Sequence, residues 1–334
     1  MLIKSIFDVF DLDKKGGVKK ASPLYVDCHV DLPYHMMNHA KEARLSELKE
    51  SPFTLEKARQ SGVRLFCTAL YCSDEYNGDR SLGHFKDLYE FVEKGFDDIM
   101  ILKNKGDIRS LKEQPENVGT ILLLENADFF AEALVYIEKL KSMGIGIVGL
   151  THAGKNRLAD GNSVMYADGI TKKGEEVVNR LRLEKVLIDV AHLHEKCFWQ
   201  LMRLIEDGVI SSHTGIREAF DIPRNLYLEQ IGEIIQRGGV VGLTFNPEML
   251  AGTGRFGVER MFVHMDTFVQ KFGPDAIGIG SDFCGFEESL TDAKDIEGVE
   301  RLIEAMLSAG YGKEAVDKIM GENWIQLFEK CLCL

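Results

Sequence analysis

His29 and Asp31 lie in residues 25–33, where a short apolar run ends in His-x-Asp and is followed by a proline. Because side chains alternate along a strand, two residues at this spacing project from the same side. Neutral imidazole nitrogens and carboxylate oxygens are common zinc ligands, so the pair could form part of a metal site. The same residues also suit turn chemistry, in which an Asp side chain bonds to nearby backbone groups. The motif by itself leaves both interpretations open.

Residues that could bind a metal ion or move a proton follow five later apolar runs. They are Glu125, His152, His192, His213 and Asp282. If the runs are parallel strands of a barrel, these residues converge, because active sites of such barrels lie at the carboxyl ends of the strands. Imidazoles and carboxylates are also the residue types that bind divalent metal ions. The pattern therefore favours a metal site over scattered surface residues.

Each of these residues also has a structural interpretation. A carboxylate directly after a buried apolar run, such as Glu125, must find a hydrogen-bonding partner or a metal ion. His192 and His213 could be hydrogen-bonded core histidines, but their equivalent positions after consecutive strands favour metal binding. His152 could cap a loop. Asp282 could cap a helix instead of acting as a base.

The elements that must position these residues are buried strands joined by helices. Eight runs rich in Val, Ile, Leu and Gly predict strands at residues 24–28, 63–70, 118–124, 145–151, 186–190, 208–212, 239–245 and 276–281. Nearly continuous apolar runs are typical of parallel strands buried on both faces. Segments with a 3.6-residue period predict helices at 83–103, 131–142, 172–183, 194–206, 226–237 and 258–271. The alternation predicts an α/β fold, a (β/α)8 TIM barrel.

One barrel accounts for most of the chain. Residues 1–23 are predicted to form an N-terminal extension, and residues 24–334 a single barrel domain that includes extra C-terminal helices. Two or three such helices are expected within 297–330, packed outside the barrel. The long Gly- and Asp-rich stretch 156–170 is interpreted as an active-site loop. A doubly wound open sheet is the competing fold, but the glycine-rich phosphate loop expected after its first strand is missing.

Composition and charge narrow the function classes. Of the 334 residues, 45% are hydrophobic and 28% charged, as in ordinary soluble globular proteins. The formal net charge of -13 argues against a nucleic-acid partner, because phosphate binding needs an excess of Lys and Arg. Charges interrupt any apolar signal core in residues 1–12, and no run approaches the roughly 18 apolar residues of a membrane span. Seven scattered cysteines without a CxxC pair favour free thiols, so a cytoplasmic protein is expected.

Several motifs are similar to those of a known enzyme family. They are DCHVDLP at 27–33, LLLEN at 122–126, GLTHAGKNRLAD at 149–160, GITKKGEEVV at 169–178, LIDVAH at 187–192, SSHTGIREAFDIPRN at 211–225, GIGSDFCG at 278–285 and GENWIQLFE at 321–329. Together they cover nearly the whole chain in the order in which the family has them. The chain therefore resembles the membrane dipeptidase (renal dipeptidase) family, peptidase family M19, of amidohydrolase-type zinc hydrolases.

The resemblance implies a metal-dependent barrel that holds two zinc ions per chain. His29 and Asp31 would bind the first zinc ion. His192 and His213 would bind the second, and Glu125 would bridge both. Two such ions can generate a hydroxide from water, whose pKa a metal lowers from about 15.7 toward 7, and can polarise the scissile carbonyl.

The same resemblance gives roles to three further residues. Asp282 would accept the proton of the metal-bridging water and pass it to the leaving amine. His152 would contact the substrate carbonyl and its developing oxyanion. Arg224 would pair with the terminal carboxylate, for which its planar guanidinium is suited. The implied activity is hydrolysis of small dipeptides, including ones with a C-terminal D-residue, by an enzyme that forms a homodimer.

The chain departs from the family pattern near the expected site. Cys28 and Val30 flank the first histidine, where Gly and Asn are usual. Asn126 replaces the glycine after the bridging glutamate, and Cys284 replaces the second acid of an Asp-Phe-Asp motif. The missing acid affects the expected pocket for the substrate amine. Deacylation of an N-acyl amino acid is an alternative reaction, and a catalytically silent metal-binding homologue is a further one, against which the retention of Asp282 argues.

Overall fold

Eight parallel strands close into a barrel, which confirms the predicted (β/α)8 architecture. The computed structural model describes residues 24–331, and the predicted N-terminal extension 1–23 lies outside the described residues. The strands are β1 (Tyr25–Val30), β2 (Val63–Tyr71), β3 (Met100–Ile101), β4 (Gly119–Glu125), β5 (Ile145–Gly149), β6 (Leu187–Asp189), β7 (Val209–Thr214), β8 (Val241–Leu243) and β9 (Ile277–Ile279). Around the ring the order is β1-β2-β4-β5-β6-β7-β8-β9, and pairing of β1 with β9 closes it.

The remaining strand, β3, lies outside this ring, at the edge of β4. It pairs with the first two residues of β4, whereas β5 pairs with the same strand from Leu122 onward. The prediction of one helix over 83–103 is therefore wrong beyond Gly95, where the observed helix ends. Asp98 then adopts a φ of 58°, a left-handed conformation that turns the chain into β3 instead of continuing the helix.

Helices connect the strands and cover the outside of the barrel. They are α1 (Leu32–His39), α2 (Leu55–Gln60), α3 (Ser81–Gly95), α4 (Lys105–Glu113), α5 (Lys172–Leu183), α6 (Glu195–Leu204), α7 (Leu228–Gln236), α8 (Pro247–Leu250), α9 (Glu259–Phe272), α10 (Val299–Ser308), α11 (Lys313–Asp317) and α12 (Asn323–Cys331). The predicted helices at 172–183, 194–206, 226–237 and 258–271 are confirmed as α5, α6, α7 and α9. Among residues 24–331, no helix combines the length and apolar character that crossing a membrane requires.

Side chains at the helix starts explain several of these boundaries. Thr54, Asn104 and Thr171 precede α2, α4 and α5, and each side-chain oxygen accepts a hydrogen bond from a backbone N–H of the first turn. A cap of this kind stabilises a helix by about 1 kcal/mol, because the first N–H groups have no partner inside the helix.

The segment predicted as a helix over 131–142 is instead a pair of 3₁₀ turns, so this prediction is wrong. The turns span Asp128–Ala131 and Leu134–Lys139. The first turn places Phe129 against Phe85 of α3, with ring centroids 4.4 Å apart. Burial of this aromatic pair outweighs the helical period of the sequence, because a buried aromatic ring contributes more than helix propensity does.

Two apolar clusters form the core. Alternate residues of the strands, such as Leu65 and Cys67, form an interior cluster inside the barrel. The residues between them, such as Phe66, belong to an outer cluster that lies between the strands and the helices. This division follows from the two-residue period of a strand, and it explains why the strand sequences are apolar throughout.

The C-terminal segment contains further helices, as predicted, but α12 does not pack outside the barrel. Trp324 and Phe328 of α12 belong to the interior cluster, and the Trp324 indole N–H donates to the Ile279 carbonyl oxygen at 3.1 Å. The Asn323 side chain donates to the carbonyl oxygens of Pro274 and Ile277, both at 2.7 Å. The Asn323 contacts lie at the amino end of β9, so α12 covers the end of the barrel opposite the strand carboxyl ends. The interior needs this cover because its apolar side chains would otherwise face water.

Candidate metal centre and active site

Seven polar side chains, contributed by six of the eight ring strands, meet at the carboxyl end of the barrel. They are His29, Asp31, Glu125, His152, His192, His213 and Asp282. The structure thus brings together all the residues that the strand-end pattern singles out. Glu125 is the last residue of β4, and the others lie within β1 and β7 or within three residues after the ends of β1, β5, β6 and β9.

His29 and Asp31 form one pair of donor groups. Nε2 of His29 lies 3.4 Å from Oδ2 of Asp31 and 3.7 Å from Oε2 of Glu125. All three side chains are buried, and within residues 24–331 Nε2 of His29 has no hydrogen-bond partner of good geometry. A buried nitrogen in this state is costly unless it binds a further group.

His192 and His213 form a second pair. Their Nε2 atoms are 3.1 Å apart, and Nε2 of His192 lies 3.0 Å from Oε1 of Glu125. The two oxygens of Glu125 therefore face different pairs, Oε2 toward His29 and Oε1 toward His192. A carboxylate in this position can bridge two metal ions.

The spacing of these atoms fits metal coordination. Two ligand atoms bound to one tetrahedral zinc ion, each at 2.0–2.1 Å, lie about 3.3 Å apart. The distance between His29 and Asp31 is 3.4 Å, and that between His192 and His213 is 3.1 Å. Imidazole and carboxylate donors without a thiolate suit zinc and other borderline or hard divalent ions. The residues present therefore fit a pair of divalent metal ions.

Burial and neighbouring charges shift the pKa values in the centre. Burial raises the pKa of Asp282 to about 7, and repulsion from the Asp31 carboxylate adds to the shift. Burial alone would also raise the pKa of Glu125, but the surrounding imidazoles hold it well below its usual range. Burial lowers the pKa of His192 to about 3, so its imidazole is neutral. Ionised carboxylate and neutral imidazole are the forms that bind metal ions.

The surroundings of Asp282 fix its carboxylate beside that of Asp31. The Asn246 side-chain amide donates to Oδ2 of Asp282 at 3.1 Å, and the Asp282 backbone N–H donates to the His29 carbonyl oxygen at 3.0 Å. At Gly285 an added Cβ would come within 2.4 Å of Oδ2 of Asp31 and 2.7 Å of Oδ1 of Asp282. Glycine is therefore needed there to leave room for both carboxylates.

Three residues at strand ends have a left-handed backbone. The φ angle is 64° at His192, 67° at Asp282 and 69° at Asn126. This conformation costs a residue with a Cβ about 1–2 kcal/mol, although Asn tolerates it better than most. Such strain is retained where the surrounding structure over-determines it, typically at functional sites. An asparagine at position 126 is consistent with this requirement.

His152 is held by a carboxylate that the sequence did not point to. Its Nδ1 lies 2.9 Å from Oδ2 of Asp74, which also accepts the Gly154 backbone N–H at 2.9 Å. Burial alone would lower the pKa of His152, but the bond to Asp74 and the charge of Glu125 raise it overall. The Tyr71 ring packs edge-on against the imidazole, with centroids 4.8 Å apart. With Nδ1 bound to Asp74, Nε2 remains available to another group.

Arg224 lies in the loop between β7 and α7, beside the second pair. One Nη atom donates to the His213 carbonyl oxygen at 3.2 Å. Burial lowers its pKa, and the charges of Asp282 and Glu125 offset part of that shift, so the group stays charged. It makes no ion pair within 4.0 Å with a carboxylate of residues 24–331. The guanidinium can therefore bind an incoming anion.

Two further site residues, Asp189 and Ser212, were also missed by the sequence reasoning. Asp189 lies in the apolar stretch LIDVAH, and a carboxylate inside a buried strand is a signal that could have identified it. Asp27 of β1 gives the same signal, and burial raises its pKa to about 6. Ser212 directly precedes His213 but carries no such mark, because a buried serine in a strand is unremarkable.

Cys28 and Cys284 add no charge to the centre. Cys284 packs in the outer cluster with its Sγ 3.5 Å from the Ser51 hydroxyl, and burial raises its pKa to about 12. Cys28 belongs to the interior cluster, with its Sγ 3.8 Å from that of Cys67. Both thiols are therefore neutral packing groups.

Residues 14–332 match the family described as membrane dipeptidase, peptidase family M19. An uncharacterised protein from the pqqA 5′ region of Klebsiella pneumoniae is 30% identical over 166 residues, which are 48% of this chain and 60% of that protein. The chain spans about three fifths of the length of the curated relatives it matches.

Solved structures of related proteins share the fold. Dipeptidase AC, a metallopeptidase of family M19, superposes with a TM-score of 0.84 at 21% identity, covering 94% of this chain and 100% of its own. A metallopeptidase from Rhodobacter sphaeroides, bound to a phosphinate mimic of the dipeptide L-Ala-D-Ala, gives 0.81 at 21% identity and covers 93% and 99%. The family match extends over nearly all of the sequence. The chain belongs to the membrane dipeptidase family, peptidase family M19.

Proposed function

We propose that this protein is a binuclear zinc dipeptidase that hydrolyses the amide bond of small dipeptides, including those with a C-terminal D-residue. The observation that carries the proposal is the position of Glu125, with Oε2 3.7 Å from His29 and Oε1 3.0 Å from His192. A single carboxylate between two donor pairs is the arrangement that two bridged metal ions need. Family membership supports a peptide substrate, as does the fold shared with a structure that holds a dipeptide mimic.

Five residues would hold the metal ions. His29 and Asp31 would bind one, His192 and His213 the other, and Glu125 both. When bound, the zinc ions supply Lewis acidity, which lowers the pKa of water to about 7 and polarises the scissile carbonyl.

Asp282 is proposed to carry the proton. Its carboxylate stays ionised beside two divalent cations, even though burial alone raises its pKa. As an anion it accepts a proton from the attacking water. The same proton then passes to the nitrogen of the leaving amine, so the residue returns to its starting state.

His152 and Arg224 are proposed to bind the substrate. Nδ1 of His152 donates to Asp74, and the raised pKa of His152 favours its imidazolium form. In that form Nε2 also carries a proton, which it can donate to the carbonyl oxygen as negative charge develops there. Arg224 would bind the terminal carboxylate through two parallel hydrogen bonds. A substrate held at both groups would have a single residue on the C-terminal side of the scissile bond, as a dipeptide does.

We further propose a cytoplasmic homodimer in which residues 24–334 form one catalytic domain. The five buried cysteines, Cys28, Cys67, Cys72, Cys197 and Cys284, are free thiols, in keeping with a reducing compartment. The net charge of -13 is consistent with a small-molecule substrate rather than a nucleic acid. The dimer follows from the family resemblance, and sedimentation velocity would test it.

Titration of metal-stripped protein with zinc, followed by a dipeptide panel that includes Gly-D-Ala, tests the proposal. Activity is expected to saturate near two zinc ions per chain. His192→Ala should abolish it, whereas His39→Ala, which changes an exposed histidine of α1, should not. Two bound ions without dipeptide hydrolysis would overturn the reaction and direct attention to N-acyl amino acids. Absence of zinc binding would overturn the metal centre.

A further inference from the structure

The Ser212 hydroxyl lies between one imidazole of each donor pair. Its Oγ is 3.2 Å from Nδ1 of His29 and 2.9 Å from Nδ1 of His213. Its side chain also lies close to the Asp189 carboxylate of the neighbouring strand β6, where it offsets part of the rise that burial causes in the pKa of Asp189. All four residues are buried, so water does not substitute for these bonds.

The hydrogen positions at this hydroxyl are settled by counting donors and acceptors. A histidine that binds a metal ion through Nε2 carries its proton on Nδ1. His29 and His213 then both donate to Ser212, whose oxygen has two lone pairs to accept them. The single hydroxyl proton is left for Asp189, which as a carboxylate can only accept. Every lone pair and proton of the hydroxyl is thereby used.

The backbone around Ser212 holds the hydroxyl in place. Its N–H donates to Oδ1 of Asp189 at 2.8 Å. Its carbonyl oxygen lies against Gly242 and Gly280, where an added Cβ would come within 2.0 Å and 1.7 Å of it. Glycine at both positions allows β7 to approach this closely, so the serine cannot shift without moving two strands.

We propose that Ser212, supported by Asp189, is a positioning residue that orients one imidazole ligand of each metal ion and thereby couples the two metal sites. The inference rests on the metal centre of the proposed function. His192 differs, since its Nδ1 has no hydrogen-bond partner within residues 24–331. Loss of one hydroxyl is therefore expected to affect both ions.

The test is zinc affinity, measured by competition between a chromophoric chelator and metal-stripped protein. Ser212→Ala is expected to weaken binding of both ions by about 10- to 100-fold, the usual effect of removing a group that orients a metal ligand. Ser211→Ala is the matched control, because the adjacent hydroxyl is equally buried and has no partner in the described chain. The control should bind both ions as tightly as the wild type.

Asp189→Asn provides a second variant that keeps the side-chain shape if Ser212→Ala does not fold. An amide N–H facing Ser212 would force the hydroxyl to donate to one Nδ1, which opposes the required proton position and should also weaken zinc binding. Unchanged zinc affinity in either folded variant would overturn the proposal. Weaker binding of only one of the two ions would show that Ser212 does not couple the two metal sites. Wild-type protein that binds no zinc would instead overturn the metal centre itself.

Discussion

Asp282 combines two destabilising features in a single residue. Its backbone is left-handed, with a φ of 67°, and its buried carboxylate lies beside that of Asp31. Strain and like-charge repulsion both lower the stability of a fold, so a residue that carries both is typical of a functional site. We therefore expect Asp282 to lower the stability of the fold while providing a carboxylate that can accept a proton.

Replacement of Asp282 by Asn should reduce turnover without reducing the stability of the fold. Asp282→Asn is expected to keep both metal ions but lose about 10²- to 10⁴-fold in kcat, because the amide cannot take up a proton. Its metal-free form should be at least as resistant to urea as the wild type, since the repulsion with Asp31 is gone. Metal analysis, steady-state kinetics and unfolding curves check these outcomes, and full activity would exclude a role as base.

Replacement of Arg224 by Ala should mainly raise KM. Loss of a charge-assisted bond to the substrate carboxylate costs about 1.5–3 kcal/mol, or roughly 10- to 100-fold in affinity. A dipeptide amide, which lacks the carboxylate, should be hydrolysed equally by Arg224→Ala and the wild type. Arg217→Ala is a suitable control, because that arginine already pairs with Asp221. An unchanged KM would place the carboxylate site elsewhere.

Replacement of Asp74 by Asn should reduce kcat more than it raises KM. The Asp74 carboxylate accepts the Nδ1 proton of His152 and favours the imidazolium form. Its loss therefore weakens the Nε2–H donor that faces the developing oxyanion. The effect should disappear when His152 is already Ala, because Asp74 acts through it. Glu75→Gln removes a neighbouring exposed carboxylate and should leave kinetics unchanged. Additive losses in the double variant would contradict this role.

Sequence alone could point to residues that follow strands, but not to the groups that hold them. His29, Glu125 and His213 are recognisable because polar residues interrupt apolar runs at equivalent places. Ser212 and Asp74 are not, since their partners lie 183 and 78 residues away in the chain. Whether two side chains that are distant in the sequence come into contact depends on the register of the barrel strands. A one-residue shift in register would turn each side chain to the opposite face of the sheet.

At the scale of elements, strands were easier to predict than the connections between them. All eight ring strands are buried on both faces, so their apolar runs are unmistakable. The two-residue strand β3 is too short to have a period and follows a helical pattern directly. The turns at 128–139 carry a helical period, but packing of Phe129 decides their shape. Local pattern fails where a tertiary contact overrides it.

Helix α12 provides a direct test of packing at this scale. Trp324 is fully buried in the interior cluster, so Trp324→Ala is expected to cost about 3–5 kcal/mol of unfolding free energy through lost contacts and the cavity left behind. Trp199 on α6 is only partly buried, and Trp199→Ala should cost clearly less. Urea unfolding of the metal-free proteins measures both. Equal losses would show that α12 contributes no more than an outer helix.

At the scale of the whole molecule, negative charge accumulates at one end of the barrel. Asp31, Glu125, Asp189 and Asp282 are all buried there, together with Asp27, in a chain of net charge -13. Buried like charges destabilise a fold unless cations or hydrogen bonds offset them. Two divalent ions would add four positive charges at the point where the repulsion is greatest.

Removal of metal ions should therefore lower the melting temperature. An ion that binds only the folded state stabilises it by about 2.7 kcal/mol at a free concentration 100 times its Kd. Chelator treatment should lower Tm and zinc should restore it, whereas His192→Ala should respond less because one donor pair is incomplete. Differential scanning fluorimetry checks this, and a Tm indifferent to zinc would contradict a metal-stabilised barrel.

Pairing of β1 with β9, which closes the ring, also determines when the metal centre can form. The Asp27 carboxylate accepts the Ser281 backbone N–H at 2.8 Å, across 254 residues of chain. During translation β1 leaves the ribosome long before β9 is made, so for most of synthesis His29 lacks the neighbours that position it. A nascent chain halted before β9 should retain little zinc. Loading of the metals is then a late event in the life of each molecule, after most of the polypeptide has emerged.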